Sequence, residues 1–418
     1  MGCMEMPQPR IPAPQRSFGP TPGGGWAAVF ALTLCVSTLI ASEFMPVSLL
    51  TPVASSLRVS EGQAGQAIAV SGIFAVITSL FIASVSRNVD RRALMLGLTA
   101  LMIASGAIVA LAPTYLVFMA GRALLGVVIG GFWSMSTATV MRLVPEDGVA
   151  RALALLNGGN ALATTIAAPL GSYLGQYIGW RGAFFCVVPL AAVTLVWLFM
   201  TLPGMPNRER ASGIAAFRIL RRPRVPLGML SVGLFFMGQF ALFTYLRPFL
   251  EGVTKVDVTT LSLMLLGLGA AGLGGTYAIG LALERSLYGL LVAMPLAMAA
   301  IAAGLVAAGH CTGGVAVLLL LWGLVGTAAP VAWWTWVSRV LPGEAEAGGG
   351  LMVAVVQLAI TLGAGLGGIL FDRWGYQAAF LASAALLVSS ALAALLAARR
   401  SGAAADDAVH SNAAPAAL

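Results

Sequence analysis

A chain of 418 residues that is 59% hydrophobic and only 9% charged cannot cover a water-soluble body, because soluble domains carry about 25% charge. Its mean hydropathy of +0.93 and apolar runs from Trp26 to Leu396 point to a membrane as solvent and leave no large soluble domain. The net charge of +8 does not imply a nucleic-acid partner, since the arginines sit at helix ends and in one central loop instead of along a stripe.

Residues 1–25 are rich in Pro, Gly and Gln and carry Arg10 and Arg16. They read as a disordered cytoplasmic arm and not as a signal peptide, for the next apolar stretch exceeds 20 residues and no small-residue cleavage site precedes a polar chain. A spanning helix needs about 20 apolar residues. Breaks in the chain then give spans at 26–50, 65–85, 93–112, 115–141, 152–175 and 182–202, with only Ala112-Pro113-Thr114 separating the third and fourth. Residues 203–226 form the one long internal loop, with six arginines against one glutamate. Its AAFRILRRP part is amphipathic enough to lie on an anionic leaflet, but the loop reads first as a topology anchor and flexible link. Six further spans follow at 227–250, 259–283, 288–308, 312–341, 348–371 and 377–398, and residues 399–418 read as an unstructured cytoplasmic tail. With the N-terminus inside, seventeen Arg fall in cytoplasmic segments and four Arg or Lys in outer ones, the asymmetry expected when both termini are cytoplasmic.

The expected fold is all-α: a membrane protein of twelve helices in two six-helix bundles, 26–202 and 227–398. MRLVP (Met141–Pro145) is echoed by SRVLP (Ser338–Pro342), and PLGSYLGQYIGWRGAFF (Pro169–Phe185) by GLGGILFDRWGYQAAF (Gly365–Phe380), at offsets of 196 or 197 residues. Copies six spans apart share one orientation, so the pseudo-two-fold axis runs along the membrane normal. Gly121, Gly126, Gly130, Gly131, Gly171, Gly175, Gly363, Gly367 and Gly368 are expected to let helices pack closely.

Polar side chains inside spans are scarce, and therefore informative. Glu43 reads as a proton relay, a substrate hydrogen-bonding group or a structural cap, with Pro46 expected to bend or break its helix and free carbonyls. Arg122 reads either as a partner that tunes an acid or as a helix-end arginine reaching the interface. Gln239, Phe243 and Arg247 are spaced by four and share a face, next to Tyr245, as would suit a substrate with rings and hydroxyls. Trp133, Asn157, Asn160, Trp322, Trp333 and Gln357 are candidates to face them, with an interfacial belt as the other reading of the tryptophans. No metal is expected from Cys3, Cys35, Cys186, Cys311, His310 and His410, which show no CxxC or ligand cluster. No ATP, zinc-protease or nucleophile-elbow motif occurs, so neither an enzyme nor a bound cofactor is expected.

SEFMPVSLLTP, SRNVDRR, GRALLGVVIGGFW, MRLVP, APLGSYLGQYIGWRGAF and FTYLRP together make residues 26–400 resemble the major facilitator superfamily. Within it the chain is most similar to bacterial proton-antiport exporters of purine ribonucleosides. The resemblance implies a monomeric carrier in the bacterial inner membrane that works by alternating access. It would exchange a small molecule such as inosine or guanosine for protons, with no other cofactor. It also implies a coupling role for Arg122, an antiporter motif at Pro169 and Gly171, and a conformational motif in the loop after the second span at Arg87, Asp90, Arg91 and Arg92. That loop departs from the family pattern, having Ala83 and Asp90 where glycines are expected and Arg87 in place of the acid. Export of sugars or hydrophobic drugs, and a non-transporting receptor or scaffold, are the alternatives.

Overall fold

A backbone in hydrocarbon must satisfy its own polar groups, which favours helices, and every long apolar run here is helical in the computed structural model. The structure describes residues 24–85, 89–206, 219–222, 225–283, 286–341 and 345–412, and among them there is no strand. The first half contains α1 (Gly24–Leu57), α2 (Glu61–Val85), α3 (Arg91–Ala110) and α4 (Tyr115–Leu143). A double-length apolar run, Arg151–Thr201, bends at Gly179 into α5 (149–178) and α6 (180–201). The second half contains α7 (Val225–Phe243), α8 (Val258–Leu283), α9 (Leu287–Ala308) and α10 (Thr312–Val340). Another double run, Gly348–Arg399, bends at Gly375 into α11 (345–374) and α12 (376–412). Twelve membrane-length helices thus stand among the described residues.

Internal symmetry reaches the packing. A Cβ on Gly126 of α4 would lie 2.2 Å from the Ser71 carbonyl oxygen of α2, and one on Gly323 of α10 would lie 2.0 Å from the Leu268 carbonyl oxygen of α8. Both partners are displaced by 197 residues. Gly171 packs on Met45 of α1 as Gly367 packs on Ala241 of α7, each displaced by 196. Lipid leaves helices little hydrophobic drive to associate, so close backbone approach at small residues does that work.

The halves meet along α2–α11, α1–α7 and α5–α8. Gly62, Gly65 and Gly72 of α2 leave room for Asp372, Tyr245 and Thr361 respectively, and Gly269 of α8 sits against Thr165 of α5. Polar contacts fasten this seam at its arginine-poor end, where Ser60 Oγ and the Gly62 amide donate to Asp372 at 2.5 and 2.9 Å.

Several details differ from expectation. Helix α1 is not broken by Pro46 and runs unbroken through Pro52 as well. Helix α7 is interrupted at Thr244 and Tyr245, then continues as Leu246–Phe249 and a π turn, Leu250–Thr254. Helix α10 carries a turn at Thr327 and Ala328, and α12 continues to Asn412, past the start of the expected tail. Most of the AAFRILRRP stretch, and Arg87, lie outside the described residues. Ile219 from that stretch is buried with the core of the second half.

Gly179 (φ 71°, ψ 166°) and Gly375 (φ 78°, ψ −177°) occupy a region essentially closed to other residues. Nothing lies within 4 Å of a Cβ built on Gly179, so substitution there tests the backbone alone. Gly179→Ala is expected to cost about 1–3 kcal/mol, read as a lowered unfolding temperature in detergent. Gly179→Asn should not restore it, because asparagine favours ψ near +47°.

Candidate functional site

Proline at position 46 has no N–H for the carbonyl of Ser42 one turn back. Arg122 of α4 supplies the missing donor: its Nη1 donates to that carbonyl at 2.8 Å, Nη2 to the Glu43 carbonyl at 3.2 Å and Nε to the Ala67 carbonyl at 3.3 Å. Arg122 is 1% exposed, so it is a deep strut joining α1, α2 and α4 and not an interfacial arginine. Its charge also attracts the Glu43 carboxylate, although its donors are spent on carbonyls.

Glu43 is 5% exposed. Among the acidic residues that the structure describes, it alone lies deep within a span, the others falling in connections or near a helix end or kink. The side chain of Gln357, on α11 of the other half, is hydrogen-bonded to its carboxyl. One carboxyl therefore faces an arginine of its own half and an amide of the opposite half.

Symmetry brings a second pair to this seam. Glu43-Phe44 of α1 corresponds to Gln239-Phe240 of α7, 196 residues on. Phe44 and Phe240 stack across the halves at 5.9 Å and 28°, and Phe243 meets Phe240 edge-on at 6.0 Å. The Gln239 amide nitrogen packs over Gly326 and beside Met298. Its Oε1 is buried without a partner, as are Trp322 Nε1 and Thr244 Oγ1. Buried polar atoms without partners are uncommon.

The other candidates make contacts elsewhere in the protein. The Tyr245 hydroxyl donates to the Ala364 carbonyl at 2.8 Å and its ring stacks on Phe371, which fixes α7 to α11. Arg247 does not share the face of Gln239, because the break at Thr244 and Tyr245 redirects it. It pairs with Glu251 at 2.7 Å and donates to the carbonyl of Ser48. Trp333 is buried edge-on to Trp336, which fills the space over Gly228. Trp133 lies half-buried against Phe132. Asn157 is exposed and bonds the Leu153 carbonyl of its own helix at 2.9 Å, with half-buried Asn160 one turn along α5. Pro169 is buried, and Gly171 admits Ser48 and Met45 of α1.

The described end of the α2–α3 loop bonds to the chain just after α6. Asp90 caps α3 by accepting from the Arg92 amide at 2.7 Å and also from the Met205 amide at 3.1 Å, while the Arg91 amide donates to the Met205 carbonyl. Arg92 Nη2 reaches the Phe199 carbonyl at 2.7 Å and its guanidinium lies over the Phe199 ring. The loop is thereby tied to the end of α6. Asp372 is the contact that sequence reasoning missed. Its one signal is that it stands opposite Gln176 in the repeated string, a charge in one copy only.

If Arg122 serves the carbonyl that Pro46 frees, restoring an N–H there should lessen the need for it. Arg122→Leu is expected to destabilise by about 1–3 kcal/mol, the usual cost of a stranded buried polar group. The loss should be smaller in a Pro46→Ala background, by thermal unfolding in detergent in a double-mutant cycle. Equal losses in both backgrounds would refute the pairing.

The sequence profile described as Major Facilitator Superfamily matches residues 30–361. A Pseudomonas aeruginosa protein named transcription regulatory protein OpdE is 61% identical over 371 residues, covering 88% of this chain and 92% of that protein. The purine ribonucleoside efflux pump NepI of Salmonella paratyphi B is 40% identical over 361 residues, covering 86% and 91%. Among solved structures, a bacterial homologue of the human lysosomal transporter Spinster, inward-facing and occupied, superposes with a TM-score of 0.72 at 16% identity, covering 91% of this chain and 98% of that one. Twelve helices in two symmetric halves, a seam closed at one end and a profile match over most of the length agree: the chain belongs to the Major Facilitator Superfamily.

Proposed function

We propose that the protein exports purine ribonucleosides such as inosine and guanosine across the bacterial inner membrane in exchange for protons, with Glu43 as the group that carries the proton. The observation that carries this reading is the position of Glu43, the one deep carboxyl among the described residues, held at the seam between Arg122 of its own half and Gln357 of the other. A proton bound there changes the charge at the contact between halves that must part during alternating access. The arginine-rich end is cytoplasmic in this reading, and one chain suffices for the cycle. Inward proton movement supplies about 2.3 kcal/mol per charge per 100 mV, so no nucleotide is needed.

A nucleoside suits what the seam offers. It is uncharged, and the deep charges amount to one carboxyl and one arginine already bonded to carbonyls. Its base is a flat ring, and Phe44 and Phe240 present aromatic faces, one from each half. Its hydroxyls and base edge are donors and acceptors, and Gln239 Oε1, Trp322 Nε1 and Thr244 Oγ1 have no partner. The 40% identity to a protein named as a purine ribonucleoside efflux pump supports the same substrate class over sugars or hydrophobic drugs. The regulatory name of the 61% identical relative favours a second reading, in which the protein affects transcription. A body made almost wholly of membrane helices would do so indirectly, by setting the level of a small effector.

Radiolabelled inosine uptake into proteoliposomes or everted vesicles, with and without an imposed proton gradient, tests both readings. Gradient-driven accumulation is expected in the wild type and should be lost in Glu43→Gln. Retention in Glu43→Gln would remove that residue from the proton path, and no inosine movement by folded protein would overturn the substrate. Gln239→Leu is expected to raise the half-saturating inosine concentration roughly five-fold, the scale of one neutral hydrogen bond, with little change in maximal rate.

A further inference from the structure

We propose that Arg247 is the positioning residue that latches the arginine-poor end shut, by docking on a carbonyl of the opposite half that Pro52 leaves without a donor. Pro52 lies inside α1 and has no N–H to give the carbonyl of Ser48, four residues earlier. Arg247, at the end of α7 in the second half, points its Nη1 at that carbonyl. The corresponding proline of the second half is Pro248, 196 residues on, and it frees the carbonyl of Thr244 in the same way. There α7 gives way, turning at Thr244 and Tyr245. Helix α1 stays continuous past its proline, and it is α1 that receives a guanidinium.

Glu251 makes the latch reusable. It follows Arg247 by one turn and holds it twice, at Nε (2.9 Å) and Nη2 (2.7 Å). Both residues belong to the second half and stay paired when the halves part. Only the bond to Ser48 breaks, so opening does not strand an unpaired charge in a low-dielectric setting, which would be costly. Arg247 thus adds one charge-assisted bond to a backbone acceptor when that end is closed. Its neighbours at the same end are Asp372 on Ser60 and Gly62 and Glu61, which accepts from Thr51 at 3.2 Å.

The inference rests on the proposed alternating access only for its consequence, since closure can be measured without substrate or gradient. Spin labels on Ser55→Cys and Gly252→Cys, both exposed and on opposite halves, report the width of the arginine-poor end in full-length protein whose own four cysteines are replaced. Arg247→Gln is expected to move the open-to-closed ratio toward open by roughly ten-fold, the size of one charge-assisted bond. Pro52→Ala, which restores the N–H and keeps α1 helical, should give a smaller shift in the same direction. In the Pro52→Ala background the effect of Arg247→Gln should shrink. An unchanged distance distribution in Arg247→Gln would overturn the latch, and an equal shift in both backgrounds would overturn the docking on Ser48. A protein that fails to move inosine but shows these shifts would lose its proposed substrate and keep the latch.

Discussion

A backbone carbonyl without a donor is costly in hydrocarbon, several kcal/mol where no water reaches it, and α1 contains two prolines that each leave one. The two carbonyls are met by arginines from different places. Ser42 is served by Arg122 of the same half and Ser48 by Arg247 of the other. The first bond makes α1, α2 and α4 one body, and the second joins that body to its partner. A helix that would otherwise kink stays straight enough to line the seam, and the residues it carries there, Glu43 and Phe44, are held in place by the same contacts.

The two halves agree where they pack and disagree where they act. Gly126 on Ser71 repeats as Gly323 on Leu268, and the positive-φ break at Gly179 repeats at Gly375. These positions set how closely helices approach and how each double run folds back, requirements common to both copies. The groups placed at the seam are not shared. Glu43 has an uncharged near-isostere, Gln239, at its symmetric position, Pro46 faces Leu242 in the alignment and Asp372 faces Gln176. A duplicated scaffold can hold a solute between equivalent faces, but a single proton site has to break the symmetry.

Much of this was legible in the residues alone, and the misses have a common cause. Span number and the parallel repeat followed from apolar run length and glycine strings, and the rarity of charge inside spans singled out Glu43 and Arg122. Arg247 was grouped with Gln239 and Phe243 because four-residue spacing keeps side chains on one face. That rule needs an unbroken helix, and α7 breaks at Thr244. Pro46 was expected to bend or break α1, but a proline breaks a helix only when its orphaned carbonyl finds no other donor, and the donor lies far away in sequence. Trp333 and Trp336 are as compatible with packing as with a cavity, and nothing in the residues alone marked Trp336 as the ring that fills the space over Gly228. Asp372 sits at a span end, where a charge is ordinary, so nothing local marked its bond to α2.

The seam itself differs in kind from the interior of each half. Inside the halves, helices touch along their lengths through glycines pressed on carbonyls. Between them, α2 meets α11 and the break in α7 on a narrow stripe, where Gly62, Gly65 and Gly72 admit Asp372, Tyr245 and Thr361. Closure then depends on a few polar bonds: Arg247 to Ser48, Asp372 to Ser60 and Gly62, Gln66 to the Gly365 carbonyl at 3.3 Å and Gln357 to Glu43. Dispersion over a smooth stripe changes gradually as surfaces slide, whereas a hydrogen bond is lost within about an ångström of its optimum. A seam built this way parts as an all-or-none step at the cost of a few bonds. Of the carboxyls in those bonds, Glu43 is the one placed deep in the membrane, so in the proposed exchange it is the carboxyl whose proton would bear on whether the halves stay together.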